Sequence, residues 1–292
     1  MKQHPELTVA YWTIAGAFPG AEREYSPFDF KDRVEAAARA GFTGMGIWHA
    51  DLEHILERRT LQEMKQILDD NGMRHLEVEF LTDWFVEGEP KKQSDVRKKN
   101  LLEAAEALHA KQIKVGDFYR RKCPMPRLID AFAALCAEAA EHGSRIAFEP
   151  MAVSMVNTLQ DSLAMVEGAA AKNGGIVLDL WHVLNLGISY EEVGRIPVQY
   201  VFGAEVNDGN FNDGNFNDGA LKTRANAHRE LIVNRKFCGE GEFDIRSFIE
   251  AVERTGYIGP WGVEIFSEDL LTLPLEELTT RAFNTSMTLM EK

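Results

Sequence analysis

The chain alternates between short apolar segments and longer segments in which apolar residues recur at helical spacing. Eight short segments have the length and the β-branched and aromatic content of strands; they are Leu7–Ile14, Phe42–Trp48, Arg74–Leu81, Gln112–Phe118, Arg145–Pro150, Gly175–Trp181, Val198–Val206 and Gly259–Phe266. The longer segments, several of them followed by a glycine as is common after a helix, are Phe30–Ala40, Leu61–Asn71, Ser94–His109, Arg127–His142, Phe243–Thr255 and Leu275–Met290.

This alternation predicts parallel β-α units, because most strand segments are followed by a clear helical segment. At 292 residues the natural closure is a (β/α)8 TIM barrel, and we predict a single domain over residues 1–292. A doubly wound open sheet is the alternative. It is disfavoured because no strand segment is followed by a glycine-rich nucleotide-binding loop.

Composition narrows the classes of partner. The net charge is −14 and lysine and arginine form no large cluster, so we expect the surface to repel the phosphate backbone of nucleic acids. No apolar run is long enough to span a membrane, and the first residues lack the features of a secretory signal. The three scattered cysteines suit a reducing compartment. We therefore predict a cytoplasmic protein that binds neither nucleic acid nor membrane, and leave open whether it forms a homo-oligomer.

Four carboxylates interrupt the last four apolar strand segments. They are Glu149, Asp179, Glu205 and Glu264. Active sites of such barrels lie at the C-terminal strand ends, and a buried carboxylate is costly unless its charge is compensated. One divalent cation would compensate all four, and oxygen ligands favour Mn²⁺ or Mg²⁺. The alternative is a set of separate salt bridges with arginines such as Arg145, Arg224 and Arg235.

Other polar and aromatic residues are predicted to lie at the same end of the barrel. His182 follows Asp179 by three residues, and Arg235 precedes a turn at Gly239–Gly241. A guanidinium suits hydroxyl or carboxylate oxygens of a ligand. The tryptophans near strand ends are candidate pocket walls or core residues; they are Trp12, Trp48, Trp84, Trp181 and Trp261. The remaining candidates are His49, Asp51, Glu79 and Asp117.

The order and spacing of these motifs resemble the sugar phosphate isomerase/epimerase family, the xylose-isomerase-like TIM barrels. The motifs that carry the resemblance are the glutamate before proline at Glu149, the D-x-x-H of Asp179 and His182, the G-x-G-E turn at Gly239–Glu242 with Arg235 upstream, and the G-Y-x-G-x-x-x-x-E from Gly256 to Glu264. The resemblance implies an enzyme that acts on a small carbohydrate or polyol. It implies Glu149 and Glu264 as acid and base beside the metal, and substrate contacts from His182, Arg235 and Asp208. His49, Trp12 and Trp48 are predicted as further substrate contacts because they lie near strand ends.

The implied reaction begins with removal of a proton α to a carbonyl, through a metal-stabilised enediolate. Return of the proton gives isomerisation or epimerisation of a ketose-like substrate, which is the main prediction. Loss of a β-substituent instead gives elimination, as in the family's inosose and dehydroshikimate dehydratases, or cleavage of a 3-keto-glycoside. This lyase reaction is the alternative. The substrate, its phosphorylation and the identity of the ion stay open.

Glu205 departs from the family pattern, in which strand seven usually carries a histidine ligand in an H-x-x-D motif. Here the stretch from Glu205 to Asp208 reads EVND. A fourth carboxylate weakens a bound ion as a Lewis acid unless one carboxyl stays protonated. Cys238 and Met155 are two further departures, and together they weaken the case for a standard ketose epimerase.

Two functions from other classes are also considered. Metal-dependent DNA-repair endonucleases share this barrel, but they need several histidine ligands and a basic groove, which a net charge of −14 disfavours. A non-catalytic metal- or sugar-binding protein is the other class. It would require the four strand-end carboxylates to be purely structural.

A repeated NDGNF unit begins directly after the seventh strand segment and runs from Asn207 to Gly219. It does not fit a calcium loop of the EF-hand type, because Asp213 stands at the sixth position where that loop needs glycine. We predict that the first copy, with Asn207 and Asp208, lies near the site. The later copies are predicted to add loop length, with phenylalanines free to cover a substrate.

Overall fold

Eight parallel strands hydrogen-bond to one another in chain order, and the last strand pairs with the first to close a barrel. The computed structural model describes residues 5–211 and 234–291. Its strands are β1 (Leu7–Val9), β2 (Gly44–Trp48), β3 (His75–Leu81), β4 (Gln112–Val115), β5 (Arg145–Phe148), β6 (Gly174–Asp179), β7 (Val201–Val206) and β8 (Trp261–Val263). The predicted (β/α)8 barrel is confirmed.

Helices surround the barrel, and two of them, Phe30–Ala40 and Leu275–Met290, have the predicted bounds. Gly41 ends the first of these with a φ of 115° and donates its N–H to the Ala37 carbonyl, a conformation that favours glycine. The other described α-helices are Tyr11–Ile14, His49–Leu56, Leu61–Asp70, Glu89–Leu108, Met125–Glu141, Leu159–Ala169, Leu180–Asn185, Tyr190–Val193 and Ile245–Arg254. None of the described helices is both long and apolar enough to cross a bilayer.

Five strands, β1, β4, β5, β6 and β8, end earlier than their apolar segments predict, and two of these segments continue as helix. β1 stops at Val9, and the segment continues as the buried helical turn Tyr11–Ile14. β6 ends at Asp179, and Trp181 lies in the helix that follows. These strand bounds were predicted too long because a short buried apolar run does not distinguish strand from helix.

The barrel interior is polar at the N-terminal end of its strands as well as at the C-terminal end. Arg145 donates to Gln112 Oε1 and to the Phe202 carbonyl, and Gln112 donates to Glu77. Within the described residues, Arg145 forms no ion pair with the four predicted carboxylates, so it does not compensate them. Arg224, another arginine considered for that role, lies outside the described residues.

Two glycines leave room for carboxylates inside the barrel. A Cβ at Gly46 on β2 would lie 2.6 Å from Glu79 Oε1, and a Cβ at Gly262 on β8 would lie 2.6 Å from Glu205 Cγ. Real Cβ atoms do not approach other heavy atoms this closely. Glycine at these two positions therefore allows Glu79 and Glu205 to occupy the space between the strands.

Candidate active site

The four carboxylates predicted from the strand pattern meet at the C-terminal end of the barrel. Each offers an oxygen within 4.8 Å of the others, and all four are buried. Asp179 ends β6 and pairs in register with Glu205 on β7, while Glu149 and Glu264 directly follow β5 and β8. Glu79 on β3, a weaker candidate from the sequence, is buried beside them as a fifth carboxylate.

A lysine that the sequence pattern does not single out lies among these carboxylates. Lys114 on β4 is fully buried, and its Nζ donates to both oxygens of Glu205 at 2.9 Å and 3.1 Å. The same nitrogen lies 3.4 Å from Glu79 Oε2, 3.6 Å from Glu149 Oε2 and 3.4 Å from Glu264 Oε1. Burial lowers the pKa of Lys114, but the carboxylates outweigh burial and hold the pKa well above its usual value. The side chain is therefore an ammonium ion.

Arg235 supplies a second cation to the cluster. Its Nη1 donates to Asp179 Oδ2 at 2.8 Å and to Glu264 Oε2 at 2.9 Å. The guanidinium also lies over the rings of Trp181 and Phe266, 5.5 Å and 4.5 Å from their centroids, at cation–π distance. The salt bridge to Arg235 that the sequence left as an alternative is present.

The four carboxylates have the chemistry of a hard-ion site, but Lys114 and Arg235 already pair with them. Each of the four contacts one or both of these cations. Because Lys114 Nζ is 2.9 Å from Glu205 Oε1, an ion about 2.1 Å from that oxygen would lie at most about 5 Å from the ammonium. Charges of +2 and +1 at that distance repel by about 7 kcal/mol at an effective dielectric constant of about 20. In this arrangement the residues do not fit a divalent ion held by all four carboxylates.

His182 faces the cluster as a neutral imidazole. Its Nε2 lies 3.5 Å from Glu149 Oε1, 3.6 Å from Asp179 Oδ2 and 3.4 Å from Arg235 Nη2. Burial, followed by the charge of Arg235, holds the pKa of His182 well below its usual value. Within residues 5–211 and 234–291, no hydrogen-bond partner reaches Nδ1. A neutral ring offers one donor and one acceptor, which suits the hydroxyl or carbonyl group of a ligand.

The cluster also holds three carboxyls whose pKa values are raised above the usual carboxyl range. Burial raises the pKa of Glu149 and of Glu205 well above the usual carboxyl range, although Lys114 opposes the rise. Burial raises the pKa of Glu79 to about 7, again against Lys114. With five ionised carboxylates and two cations the cluster would carry a formal charge of −3, so protonating some of its carboxyls lowers the electrostatic cost. A carboxyl titrating near neutral pH suits general acid–base chemistry.

A cavity of about 820 Å³ opens onto one side of the cluster. The charged or titratable residues that line it are Glu24, His49, Glu79, Arg97, Tyr119, Glu149, His182, Arg235, Glu264 and Glu268. Lys114, Asp179 and Glu205 do not line this cavity. A ligand in the cavity would therefore meet Glu149 and Glu264 directly, with the lysine behind them.

Aromatic side chains form one wall of the cavity. The ring centroids of Trp12 and Trp48 are 4.8 Å apart, Phe266 lies 5.8 Å from Trp12, and Phe80 lies 6.2 Å from Trp48. All four of these residues line the cavity. The other three tryptophans, Trp84, Trp181 and Trp261, pack in the hydrophobic core.

The remaining weaker candidates divide between the cavity and structural positions. His49 lines the cavity, and burial, followed by the charge of Arg97, lowers its pKa to about 3. Asp51 is absent from the cavity lining and pairs with Arg33. Asp117 is also absent from that lining, and its carboxylate accepts backbone N–H groups of the surrounding loops. These contacts favour structural roles for both aspartates.

Asp208, predicted to contact the substrate, instead holds the Gly239–Gly241 turn. Its Oδ2 accepts the N–H groups of Gly239 at 2.8 Å and Gly241 at 3.0 Å, and its Oδ1 accepts the N–H of Phe243 at 3.1 Å. A Cβ at Gly241 would lie 2.3 Å from Asp208 Oδ1, so the close approach requires glycine. Asp208 does not line the cavity. Its geometry favours a structural role, which is to fix the segment that carries Arg235.

The first copy of the NDGNF repeat does reach the cluster. Asn207 is fully buried, and its Nδ2 donates to Asp179 Oδ1 at 2.6 Å. Phe211, at the end of this copy, lies 5.5 Å from the ring of Phe243. The later copies, including Asp213, fall in residues 212–233 and lie outside the described residues.

Asp208→Asn is expected to lower the free energy of unfolding by about 2 kcal/mol, because the amide replaces a charged acceptor of buried N–H groups. Urea unfolding measures the change. The matched control is Asp244→Asn, since within the described residues Asp244 accepts the Ser247 N–H as an N-cap, where asparagine serves equally well. Equal effects of the two substitutions would contradict the special role given to Asp208.

Sequence comparison connects the chain to a family of enzymes. The profile of the xylose isomerase-like TIM barrel family matches residues 34–286. A 3-dehydroshikimate dehydratase of Pseudomonas aeruginosa is 26% identical over 256 residues, covering 83% of this chain but only 37% of that longer protein. An inosose isomerase of Halalkalibacterium halodurans is 21% identical over 254 residues, covering 82% of this chain and 84% of that protein. These relatives include both a dehydratase and an isomerase.

Structural comparison agrees with this result. The IolI protein with a bound zinc atom superposes with a TM-score of 0.80 at 18% identity, and the match covers 97% of both chains. At 18% sequence identity, this structural similarity establishes the fold and not the function. Because the family profile spans most of the sequence, the chain belongs to the xylose isomerase-like TIM barrel family.

Proposed function

We propose that this protein is an enzyme that removes a proton from the carbon next to a carbonyl in a small carbohydrate or polyol. The observation that carries the proposal is the position of Glu149 and Glu264. Both line the cavity, and both contact a buried cation: Glu149 lies near Lys114, and Glu264 lies near Lys114 and Arg235. A pair of carboxyls beside positive charge is suited to moving a proton while negative charge develops on the substrate oxygen.

The residues that line the cavity would have different roles in such a reaction. Glu149 and Glu264 exchange the proton with the substrate, one as base and the other as acid. Arg235 is the guanidinium that stabilises the developing oxyanion, since it lines the cavity and is held by Asp179. Neutral His182 hydrogen-bonds a neighbouring hydroxyl or carbonyl. The aromatic wall with Trp12 and Trp48 excludes water and packs against the carbon skeleton.

Return of the proton to carbon makes the overall reaction an isomerisation or epimerisation, as inferred from the motifs. The similarity to an inosose isomerase supports this outcome. The similarity to a 3-dehydroshikimate dehydratase supports a second candidate, in which loss of a β-substituent follows the same first step. The two candidates share the half-reaction and the residues assigned to it.

This proposal does not include the predicted Mn²⁺ or Mg²⁺. Lys114 and Arg235 already contact all four carboxylates that would have to bind the ion. The half-reaction needs positive charge next to the substrate oxygen, and Arg235 lines the cavity with that charge. The ion requirement therefore stays a prediction from the sequence, and titration of the metal-free protein with Mn²⁺ measures it.

Proton exchange with solvent tests the proposal whichever product forms, because all of the candidate reactions begin with loss of the same α-proton. The protein is incubated in D₂O with a panel of ketoses, inososes, dehydroshikimate-like cyclic ketones and 3-keto-glycosides, and NMR follows each α-proton. Deuterium at the α-carbon of a substrate supports the half-reaction. An isomeric product then identifies an isomerase or epimerase, and an unsaturated product identifies a lyase. Absence of both exchange and conversion across the panel, with and without Mn²⁺, would overturn the proposal.

A further inference from the structure

Lys114 is held deep inside the barrel by the strands on both sides of it. It lies on β4, which pairs with β3 on one side and β5 on the other. Its Cα pairs in register with Ala147, two residues before Glu149, so the lysine enters the cluster from deeper in the barrel. The side chain is fully buried. The ammonium is therefore shielded from solvent.

Lys114 contacts the surrounding carboxylates in the way that a metal ion at the centre of the cluster would. Four carboxylates from four different strands or strand ends lie within 3.6 Å of its Nζ. Glu205 uses both of its oxygens on Lys114. Asp179 is the one predicted metal ligand that Lys114 does not reach, and Arg235 binds it at 2.8 Å. Lys114 and Arg235 together pair with all four carboxylates that were predicted to bind the metal.

We propose that Lys114 is a built-in replacement for a divalent ion, so that the wild-type cluster does not bind one tightly and removal of the lysine exposes a latent metal site. Lys114 is a positioning residue: it acts on a ligand through Glu149 and Glu264, which line the cavity. Glu205 is then the counterion of the lysine. The inference concerns metal affinity and stands independently of the proposed reaction.

Metal binding to three proteins tests the inference. The wild type, Lys114→Met and the control Lys111→Met are treated with EDTA, dialysed and titrated with Mn²⁺ by calorimetry and by electron paramagnetic resonance of free Mn²⁺. Lys111 lies just before β4, on the surface, and forms no ion pair with the cluster within the described residues. We expect Lys114→Met to bind one Mn²⁺ at least tenfold more tightly than the wild type. Lys111→Met is expected to match the wild type.

A double variant covers the case in which Lys114→Met does not fold. Lys114→Met/Glu205→Gln removes one positive and one negative charge, so the formal charge of the cluster is unchanged. Asp179, Glu149 and Glu264 remain, and tighter Mn²⁺ binding than wild type is again expected. Tight binding of one ion by the wild type, or no gain in affinity in any folded Lys114 variant, would overturn the inference. If neither variant folds, weak Mn²⁺ binding by the wild type supports it and tight binding refutes it.

Turnover separates this result from the proposed reaction. If the D₂O panel shows no exchange but Lys114→Met gains the ion, the function is wrong and the role of the lysine stands. If the panel shows exchange only after Mn²⁺ is added to the wild type, and the wild type binds the ion tightly, the inference fails and the reaction stands.

Discussion

Glu149→Gln is expected to lower kcat by about 10²–10⁴-fold on any substrate that the D₂O panel identifies, and Glu264→Gln is expected to do the same. Both side chains line the cavity, and a glutamine has nearly the same shape but cannot accept or donate the transferred proton. The substitution should lower kcat and leave KM nearly unchanged, because the glutamine side chain keeps the shape of the cavity wall that the substrate contacts. Steady-state kinetics and the rate of α-proton exchange in D₂O measure both variants.

The matched control is Glu77→Gln, since Glu77 is a carboxylate of the same barrel at the opposite end. It accepts a hydrogen bond from Gln112 and does not line the cavity. Its kcat is expected to stay within about twofold of the wild type. If all three variants keep the wild-type rate, neither Glu149 nor Glu264 transfers the proton.

The fold follows from the sequence because its signals repeat along the chain. Eight apolar strand segments and intervening helical segments leave few other ways to bury the apolar faces at this length. Individual bounds are less well determined. The helix Leu159–Ala169 is absent from the predicted elements, although Thr158 caps it by accepting the Asp161 N–H. Leu159, Leu163 and Val166 recur at helical spacing, so the sequence does carry a signal for this helix.

The strand-end carboxylates could be predicted because each is a charge within an otherwise apolar run. Lys114 carries the same signal in the segment QIKV, yet a lysine is usually explained as a flexible side chain reaching solvent. The register of β4 within the closed barrel determines that its side chain points to the axis and not outward. Glu205 in place of a usual histidine is the available clue. An added buried negative charge calls for an added positive charge, and Lys114 provides it.

Asp51 shows that proximity to a strand end is not enough to predict which side chains line the cavity. It follows β2 closely, as His49 does, and both are predicted at the same face. In the structure His49 lines the cavity, but Asp51 lies on the other side of its helix and accepts the Ser26 N–H at 2.9 Å. The two residues are two positions apart on the helix His49–Leu56, so their side chains point in directions about 200° apart around its axis. The strand pattern carries no information about that rotation.

Asp51→Ala is expected to lower the free energy of unfolding by about 3–5 kcal/mol, because it leaves a buried arginine without its counterion. Arg33 Nη2 donates to Asp51 Oδ2 at 2.5 Å, and each residue is 1% exposed. The rings of Tyr11 and Phe30 lie 5.5 Å and 5.9 Å from the guanidinium. In this apolar environment, a water molecule in place of the lost carboxylate would not compensate the buried positive charge. Urea unfolding followed by tryptophan fluorescence and circular dichroism measures the change.

An exposed ion pair provides the control for burial. Arg281 Nη2 lies 2.8 Å from Glu240 Oε1, and the side chains are 40% and 43% exposed, so Glu240→Ala is expected to cost less than about 1 kcal/mol. The double variant Arg33→Met/Asp51→Leu should recover much of the loss caused by Asp51→Ala, since it removes both buried charges together. An Asp51→Ala cost no larger than that of Glu240→Ala would show that Arg33 finds another partner. A double variant no more stable than Asp51→Ala would show that the loss comes from packing and not from the unpaired charge.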